Sequence, residues 1–194
     1  MHKLLLEIPN RIETERLYLR SYAAGDGKWY YAMSLKNRDH LARYEADNVA
    51  MTMQSEEHAE IVMRDLVVDW AARNHFFLGA FDKKTNNFVA QIYVGPVNWD
   101  TPEFTIGFFA DVDHQGHGFV TEAVKATLGW IFKYLQARRV NLECDDTNLH
   151  SQRIAERCHM VKEAHLRENK LHPDGTLSGT MLYGLLSREF KALE

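Results

Sequence analysis

The chain of 194 residues has only two cysteines, Cys144 and Cys158, which are too few for a framework of disulfide bonds. It also lacks any run of the ~18 apolar residues that a membrane span needs. The three leucines at positions 4–6 are too short a run for the apolar part of a signal peptide. These absences predict a cytoplasmic protein.

An excess of positive charge is absent as well, because 27 acidic residues outnumber 23 lysines and arginines. Non-specific binding to nucleic acid needs a basic face that displaces counterions, so the balance argues against a nucleic-acid partner. The sequence has four prolines and no repeat, linker or shift in composition. We therefore predict a single domain spanning residues 1–194, with enough apolar residues for a sizeable core.

The hydrophobic pattern divides the chain into eleven elements. Alternating residues predict a first strand at 12–22. Helical spacing predicts one helix from 28 to about 45 and a second helix that follows the N-cap Ser55 and ends at about 73. Further strands are predicted at 75–81, 88–97, 103–112, 139–144, 161–167 and 180–186, with helices at 124–135 and 149–158. The order β-α-α-β-β-β-α-β-α-β-β predicts a mixed α/β fold with a mostly antiparallel first half.

A joint rich in glycine, DHQGHGFVTEA, connects the strand at 103–112 to the helix that follows it. A helix N-terminus presents free N–H groups and a partial positive charge. Gly116 and Gly118 would let a phosphate group approach that backbone. The joint has neither the lysine of a Walker A loop nor the third glycine of a dinucleotide fingerprint. It is therefore either a tight turn or an anion site of another kind.

A second strand-to-helix joint, DDTNLHS, occupies residues 145–151. Asn148 and Ser151 are three residues apart, which places both side chains on one side of a first helical turn. They could be an N-cap and a surface serine. Alternatively, the two joints form one concave site, because α/β sheets usually hold ligands at the carboxyl ends of their strands.

Four segments carry a resemblance to a known family: IETERLYLR, the loop QGHGFVTEA at 115–123, RRVNLECDDTNLHSQRIAERCHM at 138–160, and MLYGLLSREF. Together they resemble the GNAT superfamily of acetyl-CoA-dependent N-acetyltransferases, and more closely its ribosomal-protein alanine acetyltransferase (Rim-type) branch. The resemblance covers nearly the whole chain. It implies a central, mostly antiparallel mixed sheet of about seven strands, splayed at its central strands and flanked by about four helices.

The same resemblance implies acetyl-CoA as co-substrate. The amides of the 115–121 loop would hold the pyrophosphate, the backbone of the strand before it would pair with the pantetheine arm, and Asn148 would bind that arm near the thioester. The cofactor-binding residues implied are Phe108, Phe109, Ala110, Gln115, Gly116, His117, Gly118, Phe119, Val120, Thr121, Asn148 and Ser151.

Direct transfer of the acetyl group to a primary amine then requires a neutral amine and hence a general base or a water chain leading to one. The candidate base is Glu103, whose alternative role is that of a solvated carboxylate at a strand edge. Ser151 would stabilise the departing thiolate. No metal is expected, because the histidine and cysteine spacings match no zinc pattern. Cys144 is interpreted as a core residue. The tryptophans and tyrosines that could line an acceptor pocket are interpreted mainly as core residues too, and Trp99 is the one best placed to line such a pocket instead.

Some residues depart from the family pattern and leave alternatives open. Val120 replaces a small residue, Thr105 stands where many Rim-type chains have glutamate, and His159 and Gly179 also differ. These differences keep a catalytically inactive acyl-CoA-binding sensor as a second hypothesis. The acceptor could be a protein N-terminus or a small amine, and the protein a monomer or a homodimer.

Overall fold

The computed structural model describes residues 2–172 and 174–192, which form one sheet of eight strands with helices packed against it. The strands are β1 Arg11–Glu13, β2 Leu17–Ser21, β3 Phe76–Asp82, β4 Phe88–Asn98, β5 Glu103–Ala110, β6 Arg139–Asp145, β7 Val161–Leu171 and β8 Leu177–Leu186. The helices are α1 Gly27–Leu41, α2 Glu56–Ala72, α3 Phe119–Tyr134, α4 Leu149–Arg157 and α5 Ser187–Lys191.

The strand order is β1-β2-β3-β4-β5-β6-β8-β7. Every neighbouring pair is antiparallel except β5 and β6, which are parallel. This topology confirms the predicted mixed α/β class with a mostly antiparallel sheet. Ser55 is the predicted N-cap of α2, and its side chain accepts a hydrogen bond from the backbone N–H of His58.

The predicted strand at 12–22 is wrong in one respect, since the chain turns back on itself within it. Leu17 N donates to Thr14 Oγ1 at 2.8 Å, and Thr14 N donates to the carbonyl of Leu17 at 2.9 Å. This tight turn separates β1 from β2 and accounts for eight strands where about seven were expected. The first predicted helix also stops early, at Leu41.

The strand predicted at 103–112 is confirmed as β5, and its residues contribute to two apolar cores. Phe104 and Ile106 belong to the larger core, together with Val124 and Leu128 of α3. Phe109 belongs to a smaller core with Tyr22, which directly follows β2, and with buried residues of α1 and α2, namely Tyr30, Met33, Leu41, Ala59 and Met63. Each face of β5 thus contributes to a core, and one edge of the strand faces β6.

Within the described residues, no helix is both long enough and apolar enough to cross a lipid bilayer. The cytoplasmic location stays a prediction.

Candidate active site

The site begins where β5 and β6 separate. These strands pair only between Glu103–Thr105 and Arg139–Asn141. Beyond that point β5 continues to Ala110 beside β4 alone, and β6 continues to Asp145 beside β8 alone. The predicted splay is thus confirmed. It leaves one edge of β5 with backbone groups that can bind an extended ligand, because an unpaired strand edge offers N–H donors and C=O acceptors.

The glycine loop lies at the carboxyl end of this edge. Gly116 and Gly118 have φ angles of +78° and +77°, in the left-handed region that favours glycine. A Cβ at Gly116 would meet nothing within 4 Å, and one at Gly118 would meet only Arg16 Nη2, at 3.6 Å. Helix α3 starts directly afterwards, without a side-chain cap among the described residues. The first amides of α3 are therefore without a capping side chain from the described residues, and such amides are available to bind an anion.

Two residues hold this helix start in place. Glu122, in the first turn of α3, accepts hydrogen bonds from Thr14 Oγ1 at 2.6 Å, from Arg16 N at 2.9 Å and from Arg16 Nε at 2.6 Å. Burial opposes ionisation, but these bonds lower the pKa of Glu122 below its usual value. Arg16 also donates from Nη1 to the carbonyl of His117 at 3.0 Å. The loop is thereby fixed to the β1–β2 turn.

Val120, which departs from the family pattern, lies in the first turn of α3. It is half-buried and packs against the larger core. Gly118 and Thr121 line a neighbouring cavity of about 540 Å³ with two cations, Lys125 and Arg157. The acidic residues Glu13, Glu15 and Glu122 line it too.

The second joint supplies the other wall of the splay. Asn148 is the N-cap of α4, and its Oδ1 accepts a hydrogen bond from Ser151 N at 3.2 Å. Both residues line a small cavity of about 70 Å³ together with Gly107 and Phe108 of β5. The structure therefore brings Asn148 and Ser151 to the splayed edge, and their capping role does not exclude a binding role.

A larger cavity of about 840 Å³ adjoins the small one, and Gly107 and Phe108 line both. Its other walls come from β3, β4, β6, β7 and the connecting segment, which we define as residues 42–48 between α1 and the 3₁₀ turn that precedes α2. The side chains that contribute are those of Arg43, Tyr44, Glu45, Asp47, Asn48, Val49, His75, Phe77, Gln91, Tyr93, Asp145, Lys170, Leu171 and His172. This volume is typical of a cavity for a small molecule or a short peptide end.

The connecting segment crosses the mouth of the splay. The hydroxyl of Tyr44 lies 3.1 Å from Thr147 Oγ1, which links the segment to the joint between β6 and α4. Glu45 lines both cavities. Burial raises the pKa of the Glu45 carboxyl above its usual value, although a hydrogen bond from Asn48 and the charge of Lys170 lower it in part.

A buried polar network forms the far wall. Ser178 Oγ donates to Asp145 Oδ2 at 2.5 Å, and His172 Nε2 lies 2.8 Å from Ser178 Oγ and 3.2 Å from Asp145 Oδ2. Thr147 adds bonds to Asp145 Oδ1 from its N–H and its hydroxyl. Burial opposes ionisation of Asp145, yet these bonds lower its pKa. Asp145 is thus a structural anion that fixes the β6–α4 joint.

Glu103 does not join this site. It stands four residues before Gly107 on β5, about 13 Å away at the usual rise of a strand. Its carboxylate accepts a hydrogen bond from Asn141 at 2.5 Å and lies 3.5 Å from Arg139 Nε. Glu103 lines neither cavity, so the geometry gives no support to its assignment as general base.

Trp99 does not line the large cavity of about 840 Å³ either. Its ring packs edge-on against Phe104, with centroids 5.0 Å apart, and it adds to the larger core. Cys144 is buried, and burial raises the pKa of its thiol to about 11, which suits the predicted core role. The described residues contain no group of three or more His, Cys, Asp or Glu side chains arranged to hold a metal.

Sequence reasoning missed the residues of the connecting segment and of the β7–β8 end, of which Glu45, Lys170 and His172 are the clearest. The only local signal was the polar run after α1, which resembles any exposed loop. Their role emerges from contacts between residues that are far apart in the chain.

These features define a class of enzymes that hold an extended donor with an anionic end beside a cavity for an acceptor. The family model described as an acetyltransferase (GNAT) domain matches residues 16–161, so the chain belongs to the GNAT family of acetyltransferases. It is accordingly an N-acetyltransferase, and its acetyl donor is acetyl-CoA.

Individual proteins show the same relationship. The chain is 21% identical over 163 residues to "Probable N-acetyltransferase YjcK" of Bacillus subtilis (strain 168), which covers 81% of this chain and 87% of YjcK. In fold it is similar to RimL, the ribosomal L7/L12 alpha-N-protein acetyltransferase solved with coenzyme A, with a TM-score of 0.81 and 17% identity over 91% of this chain and 97% of RimL.

A second solved structure has the same degree of similarity. It is the ribosomal-protein-S5-alanine acetyltransferase from Vibrio fischeri, with a TM-score of 0.81 and 19% identity over 93% of this chain and 98% of that one. In its fold the chain therefore resembles the Rim-type branch, as its sequence motifs predicted.

Proposed function

We propose that this protein transfers the acetyl group of acetyl-CoA directly to the primary amine at a protein N-terminus. One observation carries the proposal: a single unpaired edge of β5 leads from the open glycine loop to the acceptor cavity. RimL is an alpha-N-protein acetyltransferase of ribosomal L7/L12, and the similarity to its fold favours this acceptor. The comparisons lend no support to the inactive sensor.

In this proposal the backbone from Gln115 to Thr121 binds the pyrophosphate. The amides of Phe119, Val120 and Thr121 are the donors at the start of α3, where the helix dipole favours negative charge. The edge of β5 from Phe108 through Phe109 to Ala110 binds the pantetheine arm as a strand would.

The acetyl group then lies beside Gly107, Asn148 and Ser151, where the small cavity meets the large one. Asn148 Oδ1 already accepts from Ser151 N, so its amide nitrogen is the group that binds the arm. The hydroxyl of Ser151 donates a hydrogen bond to the sulfur as the thiolate leaves. A backbone N–H on the β5 edge stabilises the oxyanion, since a fixed donor aimed at developing charge lowers the barrier.

A small amine is the second candidate acceptor. The acceptor cavity of about 840 Å³ lies within the usual range for small-molecule sites, roughly 300–1,000 Å³. Glu45 and Asp47 place carboxylates on its lining, beside the cations Arg43 and Lys170, and these carboxylates suit a cationic amine.

Calorimetric titration of acetyl-CoA into the wild type and a Gly118→Glu variant tests the donor site. The variant places a carboxylate where the pyrophosphate is proposed to bind. The matched control is Gly175→Glu, because Gly175 has a similar φ of +83° and open space around its Cα but lies in the turn between β7 and β8. Binding that is lost only in Gly118→Glu supports the proposal, whereas equal binding in all three proteins overturns it.

An amine panel then tests the acceptor. Peptides that begin with serine or alanine, the same peptides with a blocked α-amine, spermidine and glycinamide would be incubated with acetyl-CoA, and the products read by mass spectrometry. Acetylation of the free peptides alone supports the N-terminal acceptor. Acetylation of spermidine or glycinamide in preference selects the small amine instead.

A further inference from the structure

We propose that Glu45 is the general base of this acetyl transfer and takes the proton from the attacking amine. The inference rests on the proposed function, since it concerns the same reaction. The residue lies on the connecting segment, outside the four sequence segments that carry the family resemblance.

The position of Glu45 is the first argument. It lines the large cavity, where the amine would enter, and the small cavity, which it shares with Gly107, Asn148 and Ser151. Asp47 lines only the large cavity. Glu45 is therefore the carboxylate of the connecting segment that lies at the junction between acceptor and thioester.

Its orientation is the second argument. The backbone N–H of Glu45 donates to the carbonyl of Leu41 at 2.8 Å, which fixes the residue just beyond the end of α1. Asn48 Nδ2 donates to Glu45 Oε2 at 3.0 Å. The Oδ1 of Asn48 is itself held by the N–H of Ala50 at 3.1 Å and by Gln91 Nε2 at 3.2 Å. This arrangement holds one carboxylate oxygen still, while Oε1 accepts no hydrogen bond from the described residues.

The other carboxylates at the site are less suitable. Asp145 is occupied by Ser178, Thr147 and His172, and its pKa is lowered, so it is a weaker base than an ordinary aspartate. Glu143 lines the small cavity from β6 but is exposed to solvent. Glu45 is half-buried, and its raised pKa brings it closer to neutral pH, where a general base is most effective.

The charged and titratable groups around Glu45 come from every element that forms the two cavities. They are Arg43, Tyr44 and Asp47 on its own segment, His75 on the α2–β3 connection, Tyr93 on β4, Glu143, Cys144 and Asp145 on β6, Lys170 on β7 and His172 after β7. Of these, Lys170 is the cation whose field lowers the pKa of Glu45. Its contribution is smaller than that of burial, so the net effect is a raised pKa.

The amine nitrogen forms a C–N bond to the acetyl carbon, and the C–S bond breaks with its electron pair going to sulfur. One proton passes from the nitrogen to Glu45, while the hydroxyl of Ser151 donates a hydrogen bond to the departing thiolate. Glu45 then releases its proton to solvent and the thiolate takes up a proton from solvent, so the products are the N-acetyl amide and free CoA thiol.

The test compares Glu45→Gln with Asp39→Asn, a control that removes an exposed carboxylate near the end of α1 that lines neither cavity. Turnover of the best amine from the panel would be measured from pH 5 to 9, with acetyl-CoA affinity measured by calorimetry. We expect Glu45→Gln to lower kcat/KM about 100-fold or more, the usual contribution of a general base. Acetyl-CoA affinity should stay within about twofold, and the acidic limb of the wild-type pH profile should disappear.

A readout independent of turnover comes from carboxyl-detected ¹³C NMR of the protein without substrates. The Glu45 resonance, assigned by its loss in Glu45→Gln, should titrate above the usual range for glutamate. A Glu45→Gln variant that keeps its kcat/KM, or that keeps the acidic limb, overturns the assignment while the acetyltransferase function stands. A wild type that acetylates no amine of the panel removes the proposed function and the base with it.

Discussion

Arg16 and Glu122 are 106 positions apart in the sequence, yet Arg16 Nε donates to Glu122 Oε2 at 2.6 Å. The same guanidinium reaches the carbonyl of His117 in the glycine loop and lies over the ring of Phe119, 4.7 Å from its centroid. One side chain of the β1–β2 turn therefore fixes both the loop and the helix start that follows it. Glu122, the middle residue of the sequence Thr121-Glu122-Ala123, binds this guanidinium.

Replacing Arg16 with methionine should weaken the binding of acetyl-CoA. Methionine retains an apolar stem over Phe119 but loses the bonds to Glu122 and His117, so the loop is held less firmly. Since Arg16 is partly exposed, solvent screens the ion pair and we expect only about a threefold to tenfold rise in Kd. Calorimetry measures this change, with Arg11→Met, which breaks the exposed Arg11–Glu13 pair of the same hairpin, as control. A Kd unchanged in Arg16→Met would contradict this role.

Two substitutions of Asn148 should distinguish its role as the N-cap of α4 from its proposed role in binding acetyl-CoA. Asn148→Asp keeps an oxygen that accepts from Ser151 N, so the stability of α4 is retained, but it loses the amide donor proposed for the pantetheine arm. Asn148→Ala loses both, and the missing cap costs about 1 kcal/mol of unfolding free energy. Thermal unfolding and calorimetry should show weak acetyl-CoA binding in both variants and reduced stability only in Asn148→Ala. Full binding by Asn148→Asp would show that the residue is only a cap.

Ser151→Ala should reduce kcat while acetyl-CoA affinity stays within about twofold. The hydroxyl acts on the sulfur as it leaves, an interaction that is strongest in the transition state and so appears in kcat. We expect a loss of about tenfold to a hundredfold, at the lower end of what a general acid supplies. His150→Ala, an exposed neighbour on α4, is the control. Turnover that is unaffected by Ser151→Ala would remove the serine from the mechanism.

Glu45 should make the protein less stable as the pH rises. Its carboxyl has a higher pKa in the folded protein than in the unfolded chain, so the folded state binds the proton more tightly. In the window between the unfolded pKa of about 4.5 and the raised folded pKa, unfolding releases protons and stability falls with increasing pH. Glu45→Gln should therefore unfold at a higher temperature than the wild type at pH 7.5, and this difference in unfolding temperature should be smaller at pH 4. A difference in unfolding temperature that is the same at both pH values would contradict the raised pKa.

The sequence predicts well those parts of the fold that repeat locally. Phe104 and Ile106 of β5 and Leu128 of α3 lie in one core. Apolar residues recur with the period of the strand or helix whose face is buried, so the sequence shows which residues face the core. The loop from Gly116 to Gly118 was recognised through its composition, since left-handed backbone next to a helix start favours glycine.

The sequence predicts poorly what depends on distant contacts. Glu103 and Glu45 are both polar residues at the end of an element, and nothing local distinguishes them. In the fold Glu103 contacts Asn141 and Arg139, whereas Glu45 accepts a hydrogen bond from Asn48 and lines both cavities. The sequence also does not show that the ring of Trp99 packs against Phe104, because the residues around this tryptophan form a polar loop.

The donor loop has one consequence for how such a protein can change. Its proposed binding groups are main-chain amides, whereas the large cavity is lined mainly by side chains of the connecting segment and the β7–β8 end. Arg43, Asp47 and Leu171 line the large cavity and not the small one at the splay. Evolution can therefore change the proposed acceptor specificity through such positions while the amides proposed to bind acetyl-CoA are retained.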